Sequence, residues 1–247
     1  MMTPLLPLET VAVPQLQVMP GLAPGQLHEI YASTQDWAVA LAFALAPAMR
    51  ESGPIVLLRG GKSGAGQVYG AGLMGLGIDP ARLVIVAAGD EMALLRAGLE
   101  AARCPGVAAV VLESWGRFVA YDLVASRRLI LAAEVSRARL LILRGDASER
   151  PSAAHTRWAV RSAASTLLAA QAPGWPAVEA ELLRRRGGPA GGRWRLEWDE
   201  VHGEFRTIPL AGADGRGTDR PSPSGAVVPF FGLRTGAAGH GAIAQAA

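Results

Sequence analysis

The sequence predicts an α/β domain with a mostly parallel sheet, flanking helices and a C-terminal antiparallel hairpin. Three observations carry that expectation. Short continuous apolar runs recur, among them IVLLR at 55–59, VAAVVL at 107–112 and LLIL at 140–143, with the texture of parallel strands buried on both faces. They alternate with stretches of helical length, as crossover connections require. Farther along, RWRLEWD at 193–199 alternates strictly between apolar and charged residues, the period of a strand with one wet face.

Taken in order, residues 1–24 are spaced by prolines and hold neither period, so they are expected to form an irregular arm. The main domain is expected over 25–210. Residues 27–32 (LHEIYA) predict the first strand, and 36–50 predict an apolar helix with Ser33 or Thr34 as its N-cap. A strand at 55–59 leads into a glycine-rich passage, 60–77, with a short helix around 71–76. A strand at 83–88 (LVIVAA) precedes a helix at 90–103, acidic at its start and basic at its end, which suits the helix dipole. The strand at 107–112 ends at Glu113, a helix spans 123–135 and a core strand follows at 140–143.

Residues 157–162 alternate, and 193–199 place Trp194, Leu196 and Trp198 on one face, opposite Arg193, Arg195, Glu197 and Asp199. With 204–210 this makes the hairpin. Residues 211–247 are rich in Gly, Ala, Pro and Ser and are expected to be disordered. Within them Val228, Phe230, Phe231 and Leu233 form an apolar island with no core of its own, expected either to fold back or to dock on another protein.

Composition bounds the function. The chain has 247 residues, 50% of them hydrophobic, and a formal charge of +3 from 24 Lys+Arg against 21 Asp+Glu. That balance does not by itself announce nucleic acid, and Lys62 is the only lysine. Arginine clusters matter more: Arg184, Arg185 and Arg186 are candidates for a weak DNA-contacting surface, with Arg184 and Arg186 on one face if the segment is extended. A single cysteine, Cys104, excludes an internal disulfide, and no Cys/His spacing suits zinc. The longest apolar stretch, 37–49, is shorter than the roughly 20 residues of a bilayer span. The N-terminal residues lack the basic start of a secretory signal. A cytoplasmic protein is expected, without membrane contact or resident metal.

Catalytic motifs are missing from the sequence. Gly61-Lys62-Ser63 has Val56 where a phosphate loop needs its first glycine, and Gly64-Ala65-Gly66 continues the coil instead of opening a helix. His28, His155, His202 and His240 are scattered and read as surface or satisfied core residues. Glu113, at the carboxyl end of a buried strand, stands where α/β folds put function and is read either as a holder of a metal or water or as a strand-end polar residue. No catalytic residue and no cofactor is expected. A slow ATPase using Lys62 or Glu113 is the enzymatic alternative.

The residues also carry a family resemblance. GQLHEIY at 25–31, YGAGL at 69–73, LGIDPARL at 76–83, LVASRRL at 123–129, TRWAV at 156–160, ELLRRRGG at 181–188 and GRWRLEW at 192–198 together resemble the ImuA family, in order, over roughly 20–210. These are RecA-like accessory proteins of the SOS-induced mutasome, related to SulA-type sequences. The resemblance implies a RecA-like core in which Glu29-Ile30-Tyr31 feeds a degenerate Walker A loop that includes Ser33, Thr34, Asp36 and Trp37. That loop has neither the glycines nor the Lys-Ser/Thr pair. Glu113 takes the place of the Walker B aspartate, and Gly60-Gly61 that of the catalytic glutamate. Residues 144–151 take the position of a DNA-binding loop, shortened and with two acidic residues.

The implied function is a non-catalytic adaptor in translesion synthesis that binds ImuB and, through it, an error-prone C-family polymerase. DNA contact would be weak. A SulA-like inhibitor of cell division and a RecA-binding regulator are the alternatives that the same resemblance allows.

Overall fold

A computed structural model describes residues 18–60 and 66–208. The described chain runs β1 (Leu27–Ala32), α1 (Trp37–Leu45), β2 (Ile55–Gly60), α2 (Gly70–Gly75), β3 (Leu83–Ala88), α3 (Glu91–Arg103), β4 (Ala109–Trp115), α4 (Leu123–Ser136), β5 (Arg139–Gly145), β6 (Thr156–Ala163), β7 (Ala177–Arg185), β8 (Arg193–Asp199) and β9 (Glu204–Ile208). The strands form one sheet in the order β3-β2-β4-β5-β1-β6-β7-β8-β9. From β3 to β6 the pairings are parallel, and from β6 to β9 they are antiparallel. The α/β class expected from the sequence is the one observed, including the β8–β9 hairpin. No helix among the described residues is long and apolar enough to cross a membrane.

Three elements differ from expectation for physical reasons. The first helix ends at Leu45 and tightens into a 3₁₀ turn at Ala46–Arg50, because Pro47 has no N–H to continue the α ladder. Its N-cap position is held by Asp36, not by Ser33 or Thr34. β4 starts later and runs longer than 107–112, so Glu113 lies inside the strand and not at its end. β7 is a strand that the sequence does not announce. Its residues, AVEAELLRR, are dominated by helix-forming Ala, Glu and Leu, yet Val178, Ala180 and Leu182 are buried in alternation with half-exposed Glu179, Glu181 and Leu183.

The central strands of the sheet are covered on both faces. On one side α1 packs Phe43 against Trp158 of β6, with ring centroids 5.8 Å apart, and Trp158 meets Trp194 of β8 at 5.7 Å. This chain of rings ties the parallel half of the sheet to the antiparallel half. On the other side α3 and α4 cover Leu58, Leu112 and Ile142. Gly98 permits that approach, since a Cβ there would stand 2.7 Å from the Leu112 side chain. β3 is the edge strand, and Val84 and Ile85 are exposed on it.

His28 shows how the central strand tolerates a polar residue. Its Nε2 lies 3.0 Å from the Ala23 carbonyl, which can only accept, so Nε2 carries the proton. Nδ1 then accepts from the Thr156 hydroxyl at 2.8 Å, and that oxygen accepts from Trp158 Nε1 at 2.8 Å. Burial pushes the imidazole pKa down from 6.5 to about 4, opposed by the Ala23 bond and reinforced by the charges of His155 and Arg139. The fully buried ring is thus neutral in the fold, while the unfolded chain takes up a proton below about pH 6.5. Stability from this site is complete above that pH and is lost as pH falls toward 4, by about 3 kcal/mol. Urea denaturation across this range should show the decline, and His28→Gln should flatten it. His155, whose pKa burial also lowers, leaves a residual slope.

Candidate functional site

The carboxyl ends of β1, β4 and β5 meet at one edge of the parallel sheet, the edge where open α/β sheets place ligands. Two aspartates organise the loop that follows β1. Ser33 donates its hydroxyl to Asp36 Oδ2 at 2.7 Å, and the Asp36 N–H returns to Ser33 Oγ at 3.2 Å. The other Asp36 oxygen accepts from the Ser162 N–H and hydroxyl, both at 2.8 Å, which ties the loop to β6. Thr34 donates its N–H to Asp146 Oδ1 at 3.1 Å and its hydroxyl to Oδ2, which ties the loop to the residue after β5. Partial burial opposes the Asp36 charge, but the bonds from Ser162 and Ser33, with Arg161 nearby, hold its carboxyl below the usual range. The N–H groups of Thr34 and Asp36 are therefore engaged, and two carboxylates stand where an anion would have to approach.

Glu113 is equally committed. It is 1% exposed, and Arg59, its register partner on β2, donates Nε to Oε2 at 2.8 Å and Nη2 to Oε1 at 3.3 Å. Trp115 Nε1 donates to Oε1 at 2.9 Å. Of the two roles open to Glu113, a polar group serving the fold is the one its geometry fits. Trp115 also lies across the end of β5, where a Cβ on Gly145 would come within 2.3 Å of the indole. It meets Trp37 at 5.1 Å, so two indoles pack beside the loop after β1.

Beneath this edge lies a buried polar cluster. Glu29 is fully buried and accepts from Tyr121 OH at 2.7 Å and from Arg157 Nε at 2.7 Å. Burial and the Glu29 charge push the Tyr121 hydroxyl well above its ordinary pKa. Arg144 is 1% exposed, with its guanidinium 5.8 Å from the Tyr31 ring, 5.7 Å from Phe118 and 5.9 Å from Tyr121. It donates to the Gly116 carbonyl at 3.1 Å and is otherwise held by π faces.

Residues 144–151, which the resemblance puts in the position of a DNA-binding loop, belong to a packed strap. Arg157 donates to Glu149 at 2.8 Å, to the Arg150 carbonyl at 2.6 Å and to Ser152 at 3.3 Å. Arg150 bonds the Phe118 carbonyl, and the Ala153 N–H bonds Ser126 Oγ, both at 3.0 Å. Of the three candidate arginines, Arg184 is half-buried and props the Ser152 carbonyl at 2.9 Å, while Arg185 and Arg186 are exposed. β7 ends at Arg185, yet Arg184 and Arg186 line one groove of about 370 Å³ together with Arg127 and Glu134. Lys62, and Val228, Phe230, Phe231 and Leu233, lie outside the described residues.

Sequence reasoning missed Arg59, Asp146 and Arg157. For Arg157 a signal was present: Glu29 inside an apolar strand demands a cation, and the alternation of RWAVRS places Arg157 on the face opposite Trp158.

The fold and this edge define a class: an α/β domain whose strand-end polar groups are turned inward to hold loops together. No family model matches the chain. Among curated proteins it is similar to Protein ImuA of Caulobacter vibrioides, from strain NA1000 / CB15N and from strain ATCC 19089 / CIP 103742 / CB 15. Each is 36% identical over 158 residues, covering 57% of this chain and 62% of the relative. The chain thus spans less than two thirds of the length of the curated relatives it matches. The similarity supports the resemblance to the ImuA family carried by the motifs.

Arg59 is the residue on which the strand-end geometry turns. Arg59→Met removes the guanidinium that pairs with Glu113 across β2 and β4, and should destabilise the chain by up to about 3–5 kcal/mol in urea denaturation. The double variant Arg59→Met/Glu113→Leu should recover most of that loss. Equal stability of the single variant and the parent chain would show that the pair does not hold this corner.

Proposed function

We propose that this chain is a non-catalytic, cytoplasmic adaptor of a DNA-damage-induced translesion synthesis mutasome. It binds ImuB and helps recruit an error-prone C-family polymerase. The similarity to ImuA supports the setting. The observation that carries the non-catalytic part is the engagement of the strand-end groups: Glu113 is clamped by Arg59 and Trp115, and Asp36 and Asp146 close the loop after β1. A protein whose polar edge is spent on its own loops acts through its surfaces. The apolar strip of Val228, Phe230, Phe231 and Leu233 is the proposed ImuB-docking peptide, since a short aromatic strip buries well in a partner's groove.

Co-purification of the tagged full-length chain with ImuB, beside a truncation ending at Ala211, tests this reading. Co-elution of the full chain and its loss on truncation are expected, with no ATP turnover above buffer. Failure of both folded forms to capture ImuB would reject the adaptor role and turn attention to RecA or the division machinery.

The convergence of Arg127, Arg184 and Arg186 on one groove favours a second, compatible role: weak contact with single-stranded DNA. Arg184 is occupied by the strap, so Arg127 and Arg186 are the free-facing pair. In a salt titration, Arg127→Ala/Arg186→Ala should reduce the slope of log affinity against log salt by about 1.4, at roughly 0.7 for each phosphate no longer neutralised. An unchanged slope would place any DNA contact elsewhere.

A further inference from the structure

The outer surface of α3 and α4 combines exposed apolar side chains with arginines along one groove. α3 turns Met92, Arg96, Leu99 and Arg103 outward at i, i+4, i+7 and i+11, and α4 does the same with Val124, Arg128, Leu131 and Val135. Met92 to Leu99 face Val124 to Arg128 in one lobe of a groove of about 450 Å³, and Leu99 to Arg103 face Arg128 to Val135 in a second of about 490 Å³. Leu99 and Arg128 line both lobes, so the groove is continuous and the helices run side by side in the same sense. Leu131 is 63% exposed and Val135 87%, so the groove is rimmed by apolar side chains open to a partner.

The charges on this face select its occupant. Arg103 pairs with Glu100 at 2.8 Å, and Asp122 accepts from the Ala125 N–H as the N-cap of α4. Arg96 and Arg128 make no ion pair among the described residues. Two unpaired guanidiniums flank an apolar trough whose stripe on α4, from Val124 to Val135, is about 16 Å long, or three helical turns. A second copy of this chain would set like charges against each other. Nucleic acid has no use for the apolar floor, and a bilayer favours a convex face over a groove.

We propose that the α3/α4 groove docks an acidic amphipathic helix from a partner protein, about three turns long. Its apolar residues at i, i+3 or i+4 and i+7 would fill the two lobes, and its carboxylates would meet Arg96 and Arg128. The proposal does not depend on which partner supplies the helix.

The test uses the full chain as bait for a displayed library of 16-residue peptides, with Arg96→Glu/Arg128→Glu as the comparison. Both positions are exposed, and circular dichroism checks the fold of the variant. Enriched peptides are expected to carry Asp or Glu flanking apolar residues at helical spacing, and to bind the parent chain at least tenfold tighter than the variant. Peptides without acidic excess, or with equal affinity for both proteins, would overturn the proposal. Sedimentation showing a dimer of the parent chain that dissociates in Leu131→Asp/Val135→Asp would overturn it in favour of self-association.

Discussion

A fully buried carboxylate in the central strand is the constraint around which this molecule is arranged. Glu29 lies in β1, between β5 and β6, where no water can solvate it. An uncompensated charge at that depth would cost several kcal/mol. Arg157 on the neighbouring strand supplies the cation, and Tyr121 supplies a neutral donor to the other oxygen. Desolvation disfavours the arginine's charge, but Glu29 and Glu149 together hold its pKa above the ordinary value. Once Arg157 is fixed, its remaining N–H groups fix the strap at Glu149, Arg150 and Ser152. The strap in turn carries Asp146 at its start, which anchors Thr34 in the loop after β1. A pairing inside the sheet thereby reaches the strand-end edge and decides what that edge can do.

The same logic recurs one strand away. Glu113 and Arg59 face each other across β4 and β2, and the pair is worth more for the geometry it imposes than for net stability. Buried ion pairs often break even against apolar substitutes, whereas removing one partner is costly. Such pairs therefore act as register and conformation selectors. Here Arg59 holds Glu113 at the edge that α/β sheets usually devote to ligands, beside a cleft of about 430 Å³. A phosphate loop needs backbone N–H groups aimed outward, and the aspartates at 36 and 146 aim their carboxylates at those positions instead.

The alternation of strands and helices was legible because continuous apolar runs such as IVLLR and LLIL admit only a strand buried on both faces at that length. The hairpin was legible for the opposite reason, as its one-faced period matches burial at every position of β8. β7 escaped because local propensity and tertiary demand conflict there. Ala, Glu and Leu favour a helix, and only the pairing with β6 and β8 on either side makes the segment extended. The site was less legible than the fold. Asp36 and Glu113 could be singled out by position, but their partners, Ser162 and Arg59, lie 126 and 54 residues away, and no local spacing announces a contact of that range.

The way charges are handled divides the surface into finished and unfinished parts. On the wet face of the antiparallel half, Arg161 meets Glu179 and Arg193 meets Glu181, cross-strand pairs that leave neither sign in excess. Such exposed pairs add little stability, yet they make the face neutral and soluble. β8 also keeps Trp194, Leu196 and Trp198 inside, with Trp194 against Trp158 and Trp198 against Phe205. The helical face does so only in part. It exposes Leu131 and Val135 and leaves Arg96 and Arg128 unmatched by any described carboxylate. A fold that pairs its buried carboxylates Glu29 and Glu113 with arginines has the means to settle these as well. Their persistence on one face marks the place where complementarity is supplied from outside.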